Sequence, residues 1–209
     1  MSTPFVVTGT DTGVGKTIFA AGLVQMLGAS YWKPIQAGLE SETDTETVRR
    51  LAGLPAGRSF PEAYRLKTPA SPHLAASTDG VAIAADHLHP PPVDGPIVIE
   101  GAGGLMVPLN QHVMFIDVFA RWRFPVILVA RTRLGTINHS LLSIAALRLR
   151  DVPIRGIAFV GDPEAEVEAT IVRHGSVQRL GRLPWISRLE PAPLSAAFSA
   201  AFRWEDFLP

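Results

Sequence analysis

The stretch FVVTGTDTGVGKT, residues 5–17, joins a short run of β-branched residues to a glycine-rich turn that ends in Gly15, Lys16 and Thr17. Such a turn between a strand and a helix directs backbone N–H groups inward and forms a phosphate site. The lysine adds a full positive charge, and the threonine hydroxyl can contact a magnesium ion on the nucleotide. Thr10 stands where the usual motif has its first glycine, so the stretch predicts a variant phosphate-binding loop. A glycine-rich turn with an ordinary surface lysine is the weaker alternative.

The composition is that of a globular protein of 209 residues, which we expect to form a single domain over residues 1–209. Hydrophobic residues make up 47% and charged residues 18%, with a formal net charge of zero. This balance gives no electrostatic basis for binding nucleic acid or an anionic membrane. The absence of cysteine excludes disulfides, thiolate metal sites and cysteine nucleophiles. Without an evident signal peptide or long apolar run, we expect a cytoplasmic protein.

Short apolar runs alternate with helical patterns along the chain. The patterns predict strands over 5–7, 31–35, 97–99, 126–129, 157–160 and 178–183, and helices over 16–27, 136–149 and 164–173. This alternation predicts an α/β fold, a single P-loop-like domain whose mostly parallel sheet carries helices on both faces. Ligands of such sheets bind beyond the carboxyl ends of the strands, where we expect the functional residues.

A lysine and an aspartate stand near two of these ends. Lys33 lies at or near the end of strand 31–35, where an ammonium can stabilise negative charge on a transferring group. A solvated lysine is the alternative. Asp44 begins a helical pattern, where it can cap the helix as its N-cap residue or hold magnesium. These two stretches leave both interpretations open.

Glu100 directly follows the predicted strand 97–99. Its position matches that of a second carboxylate ligand of magnesium in P-loop enzymes. An acidic turn residue would explain the charge but not the three neighbouring glycines, which are Gly101, Gly103 and Gly104. We therefore favour a ligand.

Other polar residues give weaker signals. Free N–H groups at Gly135 and Thr136, where a helix is predicted to begin, can bind a carboxylate, while Asn138 and His139 can serve as first-turn or capping residues. The histidines are scattered without zinc-type spacing, and no Ser-His-Asp set is evident.

Six segments, taken together, resemble the dethiobiotin synthetase family in order and spacing over residues 6–186. They are VTGTDTGVGKT, KPIQAG, ASPHLAA, VIEGAGGLMVPL, PVILVARTRLGTINH and GRLPWI, of which the first and fourth are specific. The resemblance implies a homodimeric P-loop ligase that uses ATP and Mg²⁺ to join CO₂ or bicarbonate to 7,8-diaminopelargonic acid. One amine forms a carbamate, ATP activates it as a carbamic–phosphoric anhydride, and the second amine closes the ureido ring of dethiobiotin.

The resemblance also implies roles for individual residues. Lys33 and Lys16 would be catalytic, stabilising the carbamate and the transferring phosphoryl group, and Thr17, Asp44 and Glu100 would surround magnesium. The nucleotide would contact Thr12, Gly13, Val14, Gly15, Lys16, Thr17, Ile18, Glu100, Gly101, Ala102, Gly103, Val160, Gly161, Pro184, Trp185 and Ile186. The substrate would contact Ala37, Ser71, Pro72, Gly103, Gly104, Leu134, Gly135, Thr136 and Asn138, with the LGTINH stretch acting across the dimer interface.

Three positions depart from the family pattern. Gly13 stands where some members have glutamate, which leaves phosphate binding intact. Ala37 replaces a serine or threonine that often contacts substrate. Val160 or Gly161 stands where many members use asparagine to bind adenine, so we hypothesise a relaxed preference among nucleoside triphosphates.

Two other classes of P-loop protein share part of this pattern. ParA- and MinD-like switch ATPases have a signature lysine where this chain has Asp11, and an acidic residue cannot neutralise phosphate. Amidotransferase ligases related to cobyrinate diamide synthases carry a glutamine-hydrolysing domain with a cysteine, which this chain lacks. The tail places Leu194, Phe198 and Phe202 at four-residue spacing among small residues, which predicts core packing rather than a membrane anchor.

Overall fold

A central parallel sheet organises the molecule. The computed structural model describes residues 4–208. Its strands are β1 (Pro4–Gly9), β2 (Ser30–Trp32), β3 (Ile35–Ala37), β4 (Ser59–Phe60), β5 (Tyr64–Leu66), β6 (Ile97–Gly104), β7 (Val126–Arg131), β8 (Ile154–Val160) and β9 (Arg179–Leu183). Seven of them form one sheet in the order β4-β2-β6-β1-β7-β8-β9, and β3 pairs with β5 in a small second sheet. Every pairing between these strands is parallel, which agrees with the predicted mostly parallel sheet.

Helices cover both faces of the seven-stranded sheet. They are α1 (Lys16–Leu27), α2 (Asp44–Ala52), α3 (Pro72–Thr78), α4 (Phe115–Trp122), α5 (Thr136–Leu149), α6 (Ala165–Gly175) and α7 (Pro191–Ala201). Alternate residues of β1 enter opposite cores: Phe5 and Val7 pack with α1, α2 and α7, whereas Val6 packs with α3 and α4. Helices α5 and α6 pack against β7 and β8 in a third cluster. Since helices pack on both faces of the sheet, the predicted α/β fold is confirmed.

The prediction of one continuous strand over 31–35 is wrong, because the structure has two separate strands here. The main sheet keeps only Ser30–Trp32, and Ile35–Ala37 belongs to the small sheet. Pro34 has no N–H for a ladder and stands at the break. Lys33 is therefore held between two sheets.

Several other boundaries differ from the sequence prediction, and two of them concern predicted site residues. Glu100 lies inside β6, paired with Val7 of β1, instead of following the strand, because the pairing with β1 continues to Gly104 after an irregularity. Asp44 is the first residue of α2 rather than its N-cap. Thr43 is the cap, and its side chain and that of Glu46 form a reciprocal capping box.

The C-terminal helix belongs to the core, as predicted. Leu194, Phe198 and Phe202 are buried, and the Phe19 ring of α1 lies 5.3 Å from the rings of both phenylalanines. Over residues 4–208, no helix has the length and apolar character needed to cross a membrane.

Candidate functional site

The loop between β1 and α1 has the backbone geometry of a phosphate cradle. Gly13 and Gly15 adopt φ angles of 70° and 95°, which favour glycine, and Gly15 caps the start of α1. The free N–H groups at this helix start point toward a ligand position. Lys16 is buried, and its Nζ donates to the carbonyl of Asp11 at 2.9 Å. Burial lowers the pKa of Lys16 to about 8.

Oxygen atoms from three distant segments meet beside this loop. Thr17 Oγ1 lies 2.7 Å from Asp44 Oδ1 and 2.9 Å from Glu100 Oε1. Glu100 is fully buried on β6, an interior strand that lies between β2 and β1. The three residues predicted around magnesium are thus neighbours in space, although 83 positions separate Thr17 from Glu100.

Lys33 stands among the same carboxylates. Its Nζ lies 2.6 Å from Asp44 Oδ2 and 3.1 Å from Glu100 Oε1, and it donates to the Gly101 carbonyl at 3.1 Å. Burial opposes its charge, but Glu100 and Asp44 outweigh burial and raise the pKa of Lys33 above its usual value. Burial likewise opposes the charge of Asp44, while Lys33 lowers the pKa of that carboxyl. Lys33 is therefore a buried, ion-paired ammonium and not a solvated one.

Two pockets join at this cluster. One, of about 340 Å³, is lined by Thr12, Gly13, Gly15, Lys16, Thr17, Ile18, Lys33, Asp44, Glu100 and Gly103. The other, of about 480 Å³, is lined by Thr12, Lys33, Ile35, Gln36, Ala37, Asp44, Pro69, Ala70, Ser71, Pro72, Ala102, Gly103 and Val107. Residues predicted for the phosphates line the first pocket, and Ala37, Ser71 and Pro72, predicted for the substrate, line the second. Lys33 lines both.

The residues predicted for the nucleotide base lie near Gly15 of the loop between β1 and α1. The Val160 side chain packs against Gly15, where a Cβ would approach it to 3.0 Å. A Cβ at Gly161 would lie 3.7 Å from the Trp185 ring. Pro184 and Trp185 are exposed, and Ile186 is partly buried. Val14, in contrast, points into the core, so only its backbone faces the loop.

The remaining substrate residues lie outside the joined pockets. Gly104 lines a separate pocket of about 300 Å³ with Thr10 and Leu142. Leu134, Gly135 and Asn138 are exposed at the start of α5, whereas Thr136 is buried.

Several contacts at the site were not predicted. Tyr31 donates its hydroxyl to Glu100 Oε2 at 2.9 Å, and Gln36 Oε1 accepts from the Asp44 N–H at 3.2 Å. Burial, followed by the charge of Glu100, raises the pKa of Tyr31 well above its usual value, so the hydroxyl remains a donor. Tyr31 precedes Lys33 by two positions, so the two side chains would share a face of the predicted strand 31–35, a signal that points to the site but does not identify Glu100 as the partner. Arg182 was also missed, and it donates to the Gly161 carbonyl at 2.8 Å.

The oxygen donors fit a magnesium ion that a nucleotide also binds. Within residues 4–208, His, Asp and Glu form no cluster of three or more that could hold a metal without further ligands. Magnesium commonly takes one or two carboxylates together with substrate phosphates and keeps several waters. The Thr17 hydroxyl and the carboxylates of Asp44 and Glu100 supply such a partial set beside the phosphate loop.

Solved structures share this fold at low sequence identity. The MinC:MinD cell division complex of Aquifex aeolicus matches with a TM-score of 0.54 and 15% identity, covering 94% of this chain and 93% of that chain. A ParA family ATPase from Chlorobium tepidum matches with a TM-score of 0.52 and 13% identity over the whole of both chains. These similarities confirm the P-loop NTPase-like fold and nothing finer.

Sequence relatives are much closer. A family model described as an AAA domain matches residues 3–193. The ATP-dependent dethiobiotin synthetase BioD of Rhizorhabdus wittichii is 61% identical, over the whole of both chains. Proteins of the same name from Rhodopseudomonas palustris (strain HaA2) and Agrobacterium fabrum are 60% and 58% identical, each covering 100% of this chain and 98% of the relative. This chain therefore belongs to the ATP-dependent dethiobiotin synthetase family.

Proposed function

We propose that this protein uses ATP and Mg²⁺ to join CO₂ to 7,8-diaminopelargonic acid and to close the ureido ring of dethiobiotin. Membership of the dethiobiotin synthetase family supports the reaction. The observation that carries the assignment to this site is the position of Lys33, which lines both the phosphate pocket and the neighbouring pocket. A group that contacts both reactants is what transfer of a phosphoryl group to a carbamate requires.

The side chains supply positioning and charge rather than a covalent nucleophile. The backbone of residues 13–18 and the Lys16 ammonium bind the triphosphate, while the diamine lies between Ala37, Ser71, Pro72 and Gly103. Thr17, Asp44 and Glu100 would hold magnesium, which when bound offsets phosphate charge. Lys33 stabilises the negative oxygens of the carbamate and of the transferring phosphoryl group.

The proposed reaction forms and breaks bonds only between the substrates, so the side chains need only bind the substrates and stabilise charge. One substrate amine attacks CO₂, loses a proton and becomes a carbamate. A carbamate oxygen then attacks the γ-phosphorus and ADP leaves, giving the carbamic–phosphoric anhydride. The second amine attacks the carbonyl carbon and loses a proton, and phosphate leaves as the ring closes. We further propose that the chain acts as a homodimer, in which the LGTINH stretch of one copy helps hold the substrate carboxylate of the other.

Coupled product formation tests the proposal. With magnesium, bicarbonate and diaminopelargonate, mass spectrometry should detect dethiobiotin in step with nucleoside triphosphate hydrolysis. Omitting the diamine should abolish most of that hydrolysis. Equal hydrolysis with and without the diamine, and no dethiobiotin, would contradict the synthetase function and favour a switch ATPase.

A further inference from the structure

Tyr31 contacts the oxygen of Glu100 that faces away from the other site residues. Its hydroxyl lies 2.9 Å from Oε2, whereas Thr17 Oγ1 and Lys33 Nζ both approach Oε1, at 2.9 and 3.1 Å. The two oxygens of this carboxylate therefore have separate partners. Both Tyr31 and Glu100 are fully buried, so water is not a ready substitute for the phenol.

The sheet register fixes this contact. In the parallel pairing of β2 with β6, Tyr31 lies opposite Val98, two positions before Glu100 on the same face of the strand. The Tyr31 ring is part of the core formed by β1, α1 and α2, with Phe5 and Val48 among its members. A ring held by such packing presents its hydroxyl at one position. The hydrogen bond consequently restrains rotation of the Glu100 carboxylate.

We propose that Tyr31 is a positioning residue of the magnesium–nucleotide site, whose hydroxyl holds Oε2 of Glu100 so that Oε1 stays directed at Thr17. The inference rests on the proposed function, because it takes Glu100 as a magnesium ligand. Without the hydroxyl, a buried carboxylate oxygen loses its donor, and the group turns toward Lys33 or another donor. Loss of an outer hydrogen-bond partner of a metal ligand typically costs about 10- to 100-fold in metal affinity or activity.

The test compares nucleotide binding with and without magnesium in Tyr31→Phe. The probe is the non-hydrolysable analogue AMPPNP, titrated calorimetrically in MgCl₂ and in EDTA. In Tyr31→Phe, the factor by which magnesium tightens binding should fall at least about tenfold, while binding in EDTA stays within about twofold of wild type. The chain has two tyrosines, so Tyr64→Phe is a matched control. It removes a hydroxyl that accepts from the Ala84 N–H at 2.9 Å and should leave the magnesium factor unchanged.

The outcomes separate this inference from the function on which it rests. A magnesium factor in Tyr31→Phe equal to that of wild type overturns the positioning role and leaves the proposed function standing. Equal losses in Tyr31→Phe and Tyr64→Phe also overturn it, since they indicate general destabilisation. Wild-type binding that magnesium does not change overturns both the role and the magnesium site.

A second measurement covers the case in which Tyr31→Phe does not fold. Tyr64→Phe protein grown on 3-fluorotyrosine carries one fluorine label, at Tyr31. Adding MgCl₂ to its AMPPNP complex should shift the fluorine resonance, because Glu100 changes its partners as magnesium binds. A resonance that does not move on addition of saturating magnesium would overturn the proposal.

Discussion

Two buried lysines share one site but have different direct contacts. Lys16 donates to a backbone carbonyl, and burial lowers its pKa to about 8. Lys33 contacts two carboxylates, which outweigh burial and raise its pKa. Lys33 therefore has its charge balanced by direct carboxylate contacts, whereas the negative phosphates of a nucleotide would offset the desolvation of Lys16. This difference suits Lys16 to nucleotide binding and Lys33 to charge that develops during transfer.

Replacing Lys33 by alanine should lower turnover at least about tenfold, because one charge-stabilising donor is lost from a buried site. Steady-state dethiobiotin formation measures the effect. The chain has three lysines, and the exposed Lys67 supplies the control: Lys67→Ala should retain turnover within about twofold of wild type. Unchanged turnover in Lys33→Ala would exclude a catalytic role for this ammonium.

Base selectivity is the second property set by single residues. Neither Val160 nor Gly161 has a side-chain amide that could bind adenine, and the Val160 side chain packs against Gly15. A missing hydrogen bond to the base removes discrimination commonly worth about 1 kcal/mol or more. We expect kcat/KM for ATP, GTP and CTP to agree within about tenfold, which is about 1.4 kcal/mol. A hundredfold preference for ATP would contradict the hypothesis.

At the scale of elements, continuous sequence patterns were enough to predict the longer helices and the phosphate loop. The helices over 16–27 and 136–149 have the predicted bounds, and each begins directly after a glycine in the left-handed conformation, Gly15 and Gly135. The residues of the phosphate loop are consecutive in sequence, so the Gly-Lys-Thr motif alone was enough to predict it. The second sheet was missed, since its strands have three residues each and pairing between β3 and β5 leaves no periodic signal. The Tyr31–Glu100 contact depends on strand register, which no local pattern specifies.

The start of α2 determines the position of Asp44. Thr43 is buried and accepts from the Glu46 N–H in the capping box. Thr43→Ala should lower the free energy of unfolding by about 1 kcal/mol, because a helix N–H loses its partner. Urea denaturation followed by circular dichroism measures it. Thr47→Ala, within the same helix, is the control and should cost less, since alanine favours helix. Equal losses in the two variants would show that the cap contributes nothing.

The end of α3 predicts a pH-dependent term in stability. Asp79 Oδ1 accepts from the Thr68 hydroxyl at 2.6 Å. This hydrogen bond makes the largest contribution to lowering the pKa of Asp79, and the N–H groups of Lys67 and Thr68 lower it further. A folded-state pKa below the unfolded value of about 3.9 stabilises the fold above that pH, and the contribution disappears as pH falls through the folded pKa.

Comparing wild type with Asp79→Asn over pH isolates this term. The difference in their free energies of unfolding should be constant from about pH 7 to pH 5 and should shrink below about pH 4. Urea titrations at each pH measure it, with Asp94→Asn, in the exposed turn before β6, as the control. A difference between wild type and Asp79→Asn that is as large at about pH 3.5 as at about pH 7 would exclude the ionised Asp79 as its source.

At the scale of the whole molecule, one face of α5 is apolar without being buried. Leu142 is 61% exposed and Leu149 82% exposed, seven positions apart on the same side of the helix, and Leu134 before the helix is fully exposed. Leu142 also lines the 300 Å³ pocket with Met106 and the phosphate-loop residues Thr10 and Thr12. Exposed apolar patches of this kind commonly mark association surfaces. We therefore expect this face to form the proposed homodimer contact.

Leu142→Glu tests that surface, because a two-fold contact places the new charge on both copies at once. We expect the dimer dissociation constant to rise at least about tenfold, or about 1.4 kcal/mol, measured by analytical ultracentrifugation over a concentration series. Dethiobiotin formation should fall with the dimer fraction, because the LGTINH stretch at the start of α5 is proposed to act on the substrate of the other copy. Leu189→Glu changes another exposed leucine, in the segment before α7, and should affect neither measurement. A Leu142→Glu protein that remains dimeric would place the interface elsewhere, and one that becomes monomeric with full activity would show that each copy holds a complete substrate site.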